Sequence, residues 1–261
     1  MPDQAARPVA IVTGSATGIG AACARRLAEE GFNVVINYTT SEAEAQQTAA
    51  ECQRTGVETL VVRANVADNG DCRRLAAAAV DAWGRLDVLV NNAGITRFAR
   101  PDNLEKLTPA DFADIFAVNV TGAWLMTRAA HPHLKASPVA AIVNVSSHSG
   151  ISGIGSSVPY CASKGALNTM TLSLARAFAP AVRVNAVCPG FVDTRWYRGA
   201  LDPERFEAFR SRIRDNAPLQ RVVQPEEVAD AVAWLACKAT AITGHLLVID
   251  GGTHLRSADP T

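Results

Sequence analysis

VAIVTGSATGIG, residues 9–20, sets a short apolar run, Val9 to Val12, directly before a turn with glycines at 14, 18 and 20. A helical pattern follows, with Ala22, Cys23, Leu27 and Ala28 recurring on one face before Gly31. A second apolar run, Asn33 to Asn37, comes at the distance that a strand-helix-strand unit requires. Strand, glycine-rich turn and helix form the phosphate-binding start of a dinucleotide fold. Glycine lets the backbone turn sharply and approach a diphosphate closely. The helix N-terminus adds unpaired N–H groups and the positive end of its dipole.

Working outward, strand patterns are predicted at 9–13, 33–37, 58–63, 86–90, 140–145, 182–187 and 246–249. Helices are predicted at 18–30, 41–54, 69–83, 109–135, 158–178 and 225–236. This alternation predicts an α/β fold: a Rossmann-type, doubly wound parallel sheet of about seven strands with helices on both faces, in a single domain. The domain is expected over 9–253, with short tails at 1–8 and 254–261 and an irregular lid at about 191–222. Ligands of such sheets bind at the carboxyl ends of the strands. Lys+Arg and Asp+Glu balance at 25 each, so there is no electrostatic footprint for nucleic acid or an anionic membrane surface. Six scattered cysteines without C-x-x-C, and no cluster at metal-ligand spacing, predict reduced thiols, no metal and a cytoplasmic setting. Neither a signal peptide nor a membrane span is predicted.

The second informative stretch is SSHSGISGIGSSVPYCASK, residues 146–164. Tyr160 and Lys164 stand at i and i+4, one above the other on a helix face. An ammonium beside a phenol favours the phenolate, so a tyrosine pKa below its usual value of about 10 is expected, fitting a general acid/base. Ser147 offers a hydroxyl to hold a substrate oxygen. By themselves these residues also allow a surface Tyr/Lys pair beside a serine-rich loop.

Together the two stretches resemble the short-chain dehydrogenase/reductase family, and the resemblance spans nearly the whole chain. TGSATGIG fits that family's T-G-x-x-x-G-x-G turn, and Asn91-Asn92-Ala93-Gly94 fits its N-N-A-G segment. Asn119 in FAVNVTGAW fits its helix asparagine, and Pro189-Gly190 with Thr194 fits its P-G-x-x-x-T. The resemblance implies a catalytic set of Ser147, Tyr160, Lys164 and Asn119. It also implies a cofactor site built from Gly14, Ser15, Thr17, Gly18, Ile19, Gly20, Tyr38, Thr39, Asn65, Val66, Asn92, Ala93, Gly94, Tyr160, Lys164, Pro189, Gly190, Val192 and Thr194. Tyr160 would pass the proton, Lys164 would tune it and bind the nicotinamide ribose, and Ser147 would stabilise the substrate oxygen. The Asn119 backbone would hold a water joining the lysine to solvent.

NAD-dependent members commonly carry an acid at the end of the second strand; here that stretch is Asn37-Tyr38-Thr39-Thr40-Ser41, with none. NADP is therefore expected, with NAD possible, although the stretch also lacks a lysine or arginine to grip the phosphate. The chain is similar to the 3-oxoacyl-[acyl-carrier-protein] reductase and glucose dehydrogenase-like branch. The basic groups that would dock an acidic carrier are missing apart from Lys135 and Arg183. The expected function is NAD(P)-dependent interconversion of a carbonyl and a secondary alcohol on a small molecule. The alternative is carrier-linked 3-oxoacyl reduction, and a distant one is a non-catalytic dinucleotide sensor. Trp196 and Tyr197 in the lid would line an apolar substrate site. A homodimer or homotetramer is expected, with Ala162, Ala166, Met170 and Leu174 on the tyrosine helix suiting close packing.

Overall fold

A computed structural model describes residues 7–198 and 202–255. Most of the expected tails and lid residues 199–201 lie outside the described residues. Seven parallel strands form one sheet in the order β3-β2-β1-β4-β5-β6-β7. They are β1 Val9–Val12, β2 Asn33–Tyr38, β3 Thr59–Arg63, β4 Val88–Asn91, β5 Ala141–Val145, β6 Arg183–Pro189 and β7 Leu246–Ile249. The strand order reverses between β1 and β4, which opens a crevice at their carboxyl ends.

The core follows from the period of two in each strand. Ala10 and Val12 of β1, with Val34 and Ile36 of β2, face helices α1 (Gly18–Glu29) and α10 (Pro225–Cys237). Val9 and Ile11, with Val35 and Leu89, face α3 (Asn69–Trp83) and α5 (Ala123–Leu134) on the other side. Each layer is apolar because both faces are covered. At the far, amino-terminal end of the sheet, the buried Asp87 carboxylate accepts from the Val9 amide (2.7 Å), Arg85 (2.8 and 2.9 Å) and Ser137 Oγ (2.5 Å). It ties the strand entrances together and stands apart from the crevice.

On the α1 face, α2 (Glu42–Gln53) packs beside α1 through Ala45, Ala49 and Cys52. The predicted helix at 109–135 is interrupted. α4 (Pro109–Phe116), held by a Thr108/Asp111 capping box, runs through one π-helical segment at Ala117–Gly122 into α5. Gly122 permits this: a Cβ there would lie 2.9 Å from Val66 Cγ2. After β5, the short α6 (Ser149–Ser152) leads to α7 (Val158–Phe178), whose first turn is capped by the Ser157 hydroxyl.

The 191–222 stretch differs from expectation. It is not irregular but carries α8 (Arg195–Arg198) and the fourteen-residue α9 (Pro203–Asn216), started by the Asp202 cap. Phe206, Phe209 and Ile213 recur at helical spacing and gather with Phe191, Val222 and Tyr197 into a small core of their own. Arginines and acids fill the rest of α9, and they hid its narrow apolar stripe. Trp83 is half-buried and donates to Glu58 at 2.6 Å. Trp124 and Trp234 remain 41% and 44% exposed. No helix among the described residues is long and apolar enough to cross a membrane.

Candidate active site

The glycine turn is braced from below. Ser15 is fully buried; its hydroxyl donates to the Val12 carbonyl (2.7 Å) and accepts from the Asn37 amide (2.9 Å). The Asn37 side chain in turn accepts from the Gly14 amide (3.0 Å). Ser15 thus supports the turn from inside, and its side chain points away from the crevice. Asn92 closes the other flank, donating to the carbonyls of Thr13 (2.8 Å) and Gly14 (3.0 Å). Gly14 and Gly18 have φ of 61° and 59°, a region that disfavours side chains.

These residues fit a dinucleotide. Helices α3, α7 and α9 each carry a side-chain cap at the N-terminus, but α1 has none on Thr17 and no acid in its first turn. Its leading amides, at the mouth of the crevice, are thereby left to an anion. Across the turn stands Thr194; its Cγ2 would lie 3.6 Å from a Cβ on Gly18. Pro189-Gly190 approaches from β6, and Gly190 is needed because a Cβ would lie 2.6 Å from the Asp250 Cβ. Val192 bridges to Val223, fixing the lid's base. Tyr38 is buried with its hydroxyl toward Glu42, and Thr39 follows it on the rim. Asn65 closes a local turn by accepting from the Ala67 amide (3.0 Å), and Val66 packs against Gly122.

Ser147, Tyr160 and Lys164 converge on the same crevice. Gly150 lets α6 lie against α7 at Lys164, where a Cβ would be 2.5 Å from the Lys164 carbonyl carbon. Lys164 is buried, and its Nζ donates to the Val145 carbonyl at 2.8 Å. Gly94 borders that ammonium, at 3.7 Å from its own would-be Cβ. Ile19 and Ala93 are half-buried beside the turn. Asn119, buried in the π-helical segment, accepts from the Ile95 amide (2.8 Å) and donates to the Ile95 carbonyl (3.0 Å) and Ser163 Oγ (3.0 Å). It clamps the Asn92–Ile95 loop to α7.

The electrostatics differ from the sequence expectation. Burial pushes the Tyr160 phenol up rather than down, with Tyr197 adding to it and the Ser147 hydroxyl opposing. The reason is geometric. Lys164 Nζ lies 5.8 Å from the Tyr160 ring centroid and is turned to Val145, while Trp196 covers the ring at 6.0 Å. Burial also lowers Lys164 to about 8. Tyr160 is accordingly a neutral phenol at pH 7.

Trp196 and Tyr197 do reach the site. Tyr197 packs on Phe191 (4.9 Å), Phe98 (5.7 Å) and Phe209 (5.7 Å), making an aromatic roof over Tyr160. Phe98 and Phe191 escaped the sequence reading, since neither belongs to a motif. His148 is half-buried beside Ser147, and its ring lies 6.1 Å from His254.

A family profile described as enoyl-(acyl carrier protein) reductase matches residues 14–254. The chain is 45% identical over 253 residues to a Streptomyces violaceoruber protein bearing the name of a granaticin polyketide synthase ketoacyl reductase, covering 97% of this chain and 98% of that one. The chain belongs to the short-chain dehydrogenase/reductase family. It is 37% identical over 249 residues to the 3-oxoacyl-[acyl-carrier-protein] reductase of Staphylococcus aureus, covering 94% and 98%. It is 39% identical over 254 residues to the cis-4-hydroxycyclohexanecarboxylate dehydrogenase of Sinomonas cyclohexanicum, covering 97% and 98%. A Burkholderia xenovorans crystal structure titled as a short-chain dehydrogenase/reductase superposes with a TM-score of 0.89 at 40% identity, covering 97% of this chain and all of that one. As a family member the chain is an oxidoreductase that interconverts carbonyl and CH–OH groups with a nicotinamide dinucleotide.

Proposed function

We propose that this chain is an NADP-preferring reductase of small, ring-bearing ketones, with Tyr160 as the proton donor. The observation that carries the reading is the convergence of Tyr160, Ser147 and Lys164 under an aromatic roof, opposite the glycine turn. A nicotinamide cofactor, when bound, supplies or accepts the hydride. Gly14, Thr17–Gly20, Asn92–Gly94 and Pro189–Thr194 would hold it. Tyr160 gives its proton to the carbonyl oxygen, Ser147 donates a hydrogen bond to that oxygen, and Lys164 stabilises the phenolate left behind. Asn119 keeps the loop and helix in register. The Trp196/Tyr197/Phe98 roof excludes water and offers flat apolar surface to a ring. Six unpaired cysteines suit a reducing compartment such as the cytoplasm.

The names of two relatives favour a second reading, reduction of a carrier-linked 3-oxoacyl chain. Charge weighs against it. Arg183 is consumed capping α10, donating to the carbonyls of Leu235 (2.6 Å), Ala236 (2.7 Å) and Ala239 (3.1 Å). In the lid, acids stand beside the arginines, Asp202 by Arg205 (3.3 Å), Asp193 by Arg210 (3.0 Å) and Asp215 by Arg214 (2.9 Å), and they offset the positive charge that an acidic carrier would meet. Arg212 stacks on Phe209 at 5.5 Å. Lys135 and Arg176 stay exposed. Turnover with NADPH should therefore favour alicyclic and aromatic ketones. A carrier-linked acetoacetyl thioester should gain nothing over its free mimic, and its rate should change little with salt. A large, salt-sensitive advantage for the carrier-linked substrate would establish the second reading.

A homodimer or homotetramer is part of the proposal. Phe112 and Phe116 stack at 5.3 Å on α4, and Phe112, Trp124, Val158 and Leu172 expose apolar surface on α4, α5 and α7. Light scattering at micromolar concentration should give at least twice the monomer mass; a monomer would refute it.

A further inference from the structure

Ser41-Glu42-Ala43-Glu44 has the capping-box pattern at the start of α2, yet no side-chain cap forms there. The Ser41 hydroxyl is turned elsewhere. It accepts from Arg195 Nη2 at 3.0 Å, and Arg195 Nη1 pairs with Glu44 Oε1 at 3.2 Å. Arg195 belongs to the lid, immediately after the Thr194 that stands over Gly18. Its side chain thus spans the mouth of the crevice, from the lid to the end of β2. On the other flank, Arg63 at the end of β3 donates from Nε to the Thr39 carbonyl at 3.2 Å. Thr39 and Ser41 are two residues apart, about 7 Å along an extended chain, so two guanidiniums bracket the rim where β2 ends. The stretch 37–41 supplies no cation of its own; the fold brings two from elsewhere.

The opposing charges are Glu42, which faces the Tyr38 hydroxyl, and Glu44, which holds Arg195. Arg195 and Glu44 are both about half exposed, at 57% and 46%, so their pair is weak and readily exchanged. The uncapped first turn of α2 offers its amides to an anion at the same place. A phosphate takes a guanidinium in a bidentate pair stronger than a screened surface carboxylate contact.

We propose that Arg195 is a lid latch that reads the 2′-phosphate of NADP, leaving Glu44 for the phosphate while Arg63 flanks it from β3. Cofactor choice and the seating of the lid are then linked: the cation that selects NADP also holds the Trp196/Tyr197 roof in place over Tyr160. The inference rests on the NADP reading above.

Calorimetric titration of the full chain with NADPH and with NADH, at low and high salt, tests both separately. The unmodified protein should prefer NADPH, with a preference that weakens in salt. Arg195→Ala should weaken NADPH by about tenfold to a hundredfold, as loss of a charge-assisted contact does, and leave NADH within about threefold. The NADH arm doubles as the check on folding. Glu44→Gln, which removes the competing carboxylate, should tighten NADPH alone. Hydrogen exchange over α9 should slow with NADPH in the unmodified protein and not in Arg195→Ala. No preference for NADPH in the unmodified protein overturns the NADP reading. A preference that survives in Arg195→Ala, or an equal loss of both cofactors, overturns the latch while leaving that reading standing.

Discussion

Tyr160→Phe is expected to lower turnover by about 10²- to 10⁴-fold while NADPH still binds. The substitution deletes the proton donor and keeps the ring, so the contact with Trp196 at 6.0 Å and the packing of α7 survive. The pH profile should carry the same signature. Burial keeps the Tyr160 phenol protonated at pH 7, so carbonyl reduction needs no prior ionisation. As pH rises through the Lys164 value of about 8, the ammonium that stabilises the product phenolate is lost, and reduction should decline. Alcohol oxidation runs the other way: it needs the phenolate beside the ammonium, so it should gain as pH rises toward the Lys164 value of about 8 and level off above it. Rates in both directions between pH 6 and 10 check this. Full activity in the phenylalanine variant, or reduction that quickens above pH 8, would remove Tyr160 from its proposed role.

Much of this arrangement is legible in the chain because it is local. The strands lie within two residues of where apolar runs meet glycine or polar residues, as at Val9–Val12 and Leu246–Ile249. The Tyr160–Lys164 pair needs only a helix to share a face. What escaped was long-range or masked. Arg63 and Arg195 reach the end of β2 from 24 and more than 150 residues away, so no reading of residues 37–41 finds them. Lys164 occupies its expected place, but its ammonium turns to the Val145 carbonyl, a direction that spacing does not carry. The lid helix α9 packs through only a few apolar side chains among arginines and acids, too thin a stripe to stand out from a polar loop. The π-helical segment at Asn119 is a backbone adjustment with no residue pattern of its own.

Gly20→Ala should abolish useful cofactor binding where Gly18→Ala only weakens it, although Gly18 is the one with the unusual backbone. At Gly18, φ is 59° and a methyl group meets the Thr194 side chain at ordinary contact distance, 3.6 Å from Cγ2 and 3.8 Å from Cβ. The cost there is the left-handed conformation, about 1–2 kcal/mol. At Gly20 a methyl group would lie 2.3 Å from the Gly14 carbonyl oxygen and 2.4 Å from Asn92 Nδ2. Neither neighbour can step aside. The Gly14 carbonyl is backbone in a turn pinned by Asn37, and the Asn92 amide is fixed by its bonds to Thr13 and Gly14. The turn must open, which costs about 1–3 kcal/mol of stability as overpacking does. It also draws the leading amides of α1 away from the diphosphate. Losing two hydrogen bonds to a charged group, at about 1.5–3 kcal/mol each, corresponds to more than a hundredfold in affinity. Thermal melting should show a folded but weakened protein, and calorimetry should show NADPH and NADH affected alike, because the diphosphate is common to both. An unchanged affinity in Gly20→Ala would mean that the turn yields without losing its amides, and the glycine cradle would no longer account for cofactor binding.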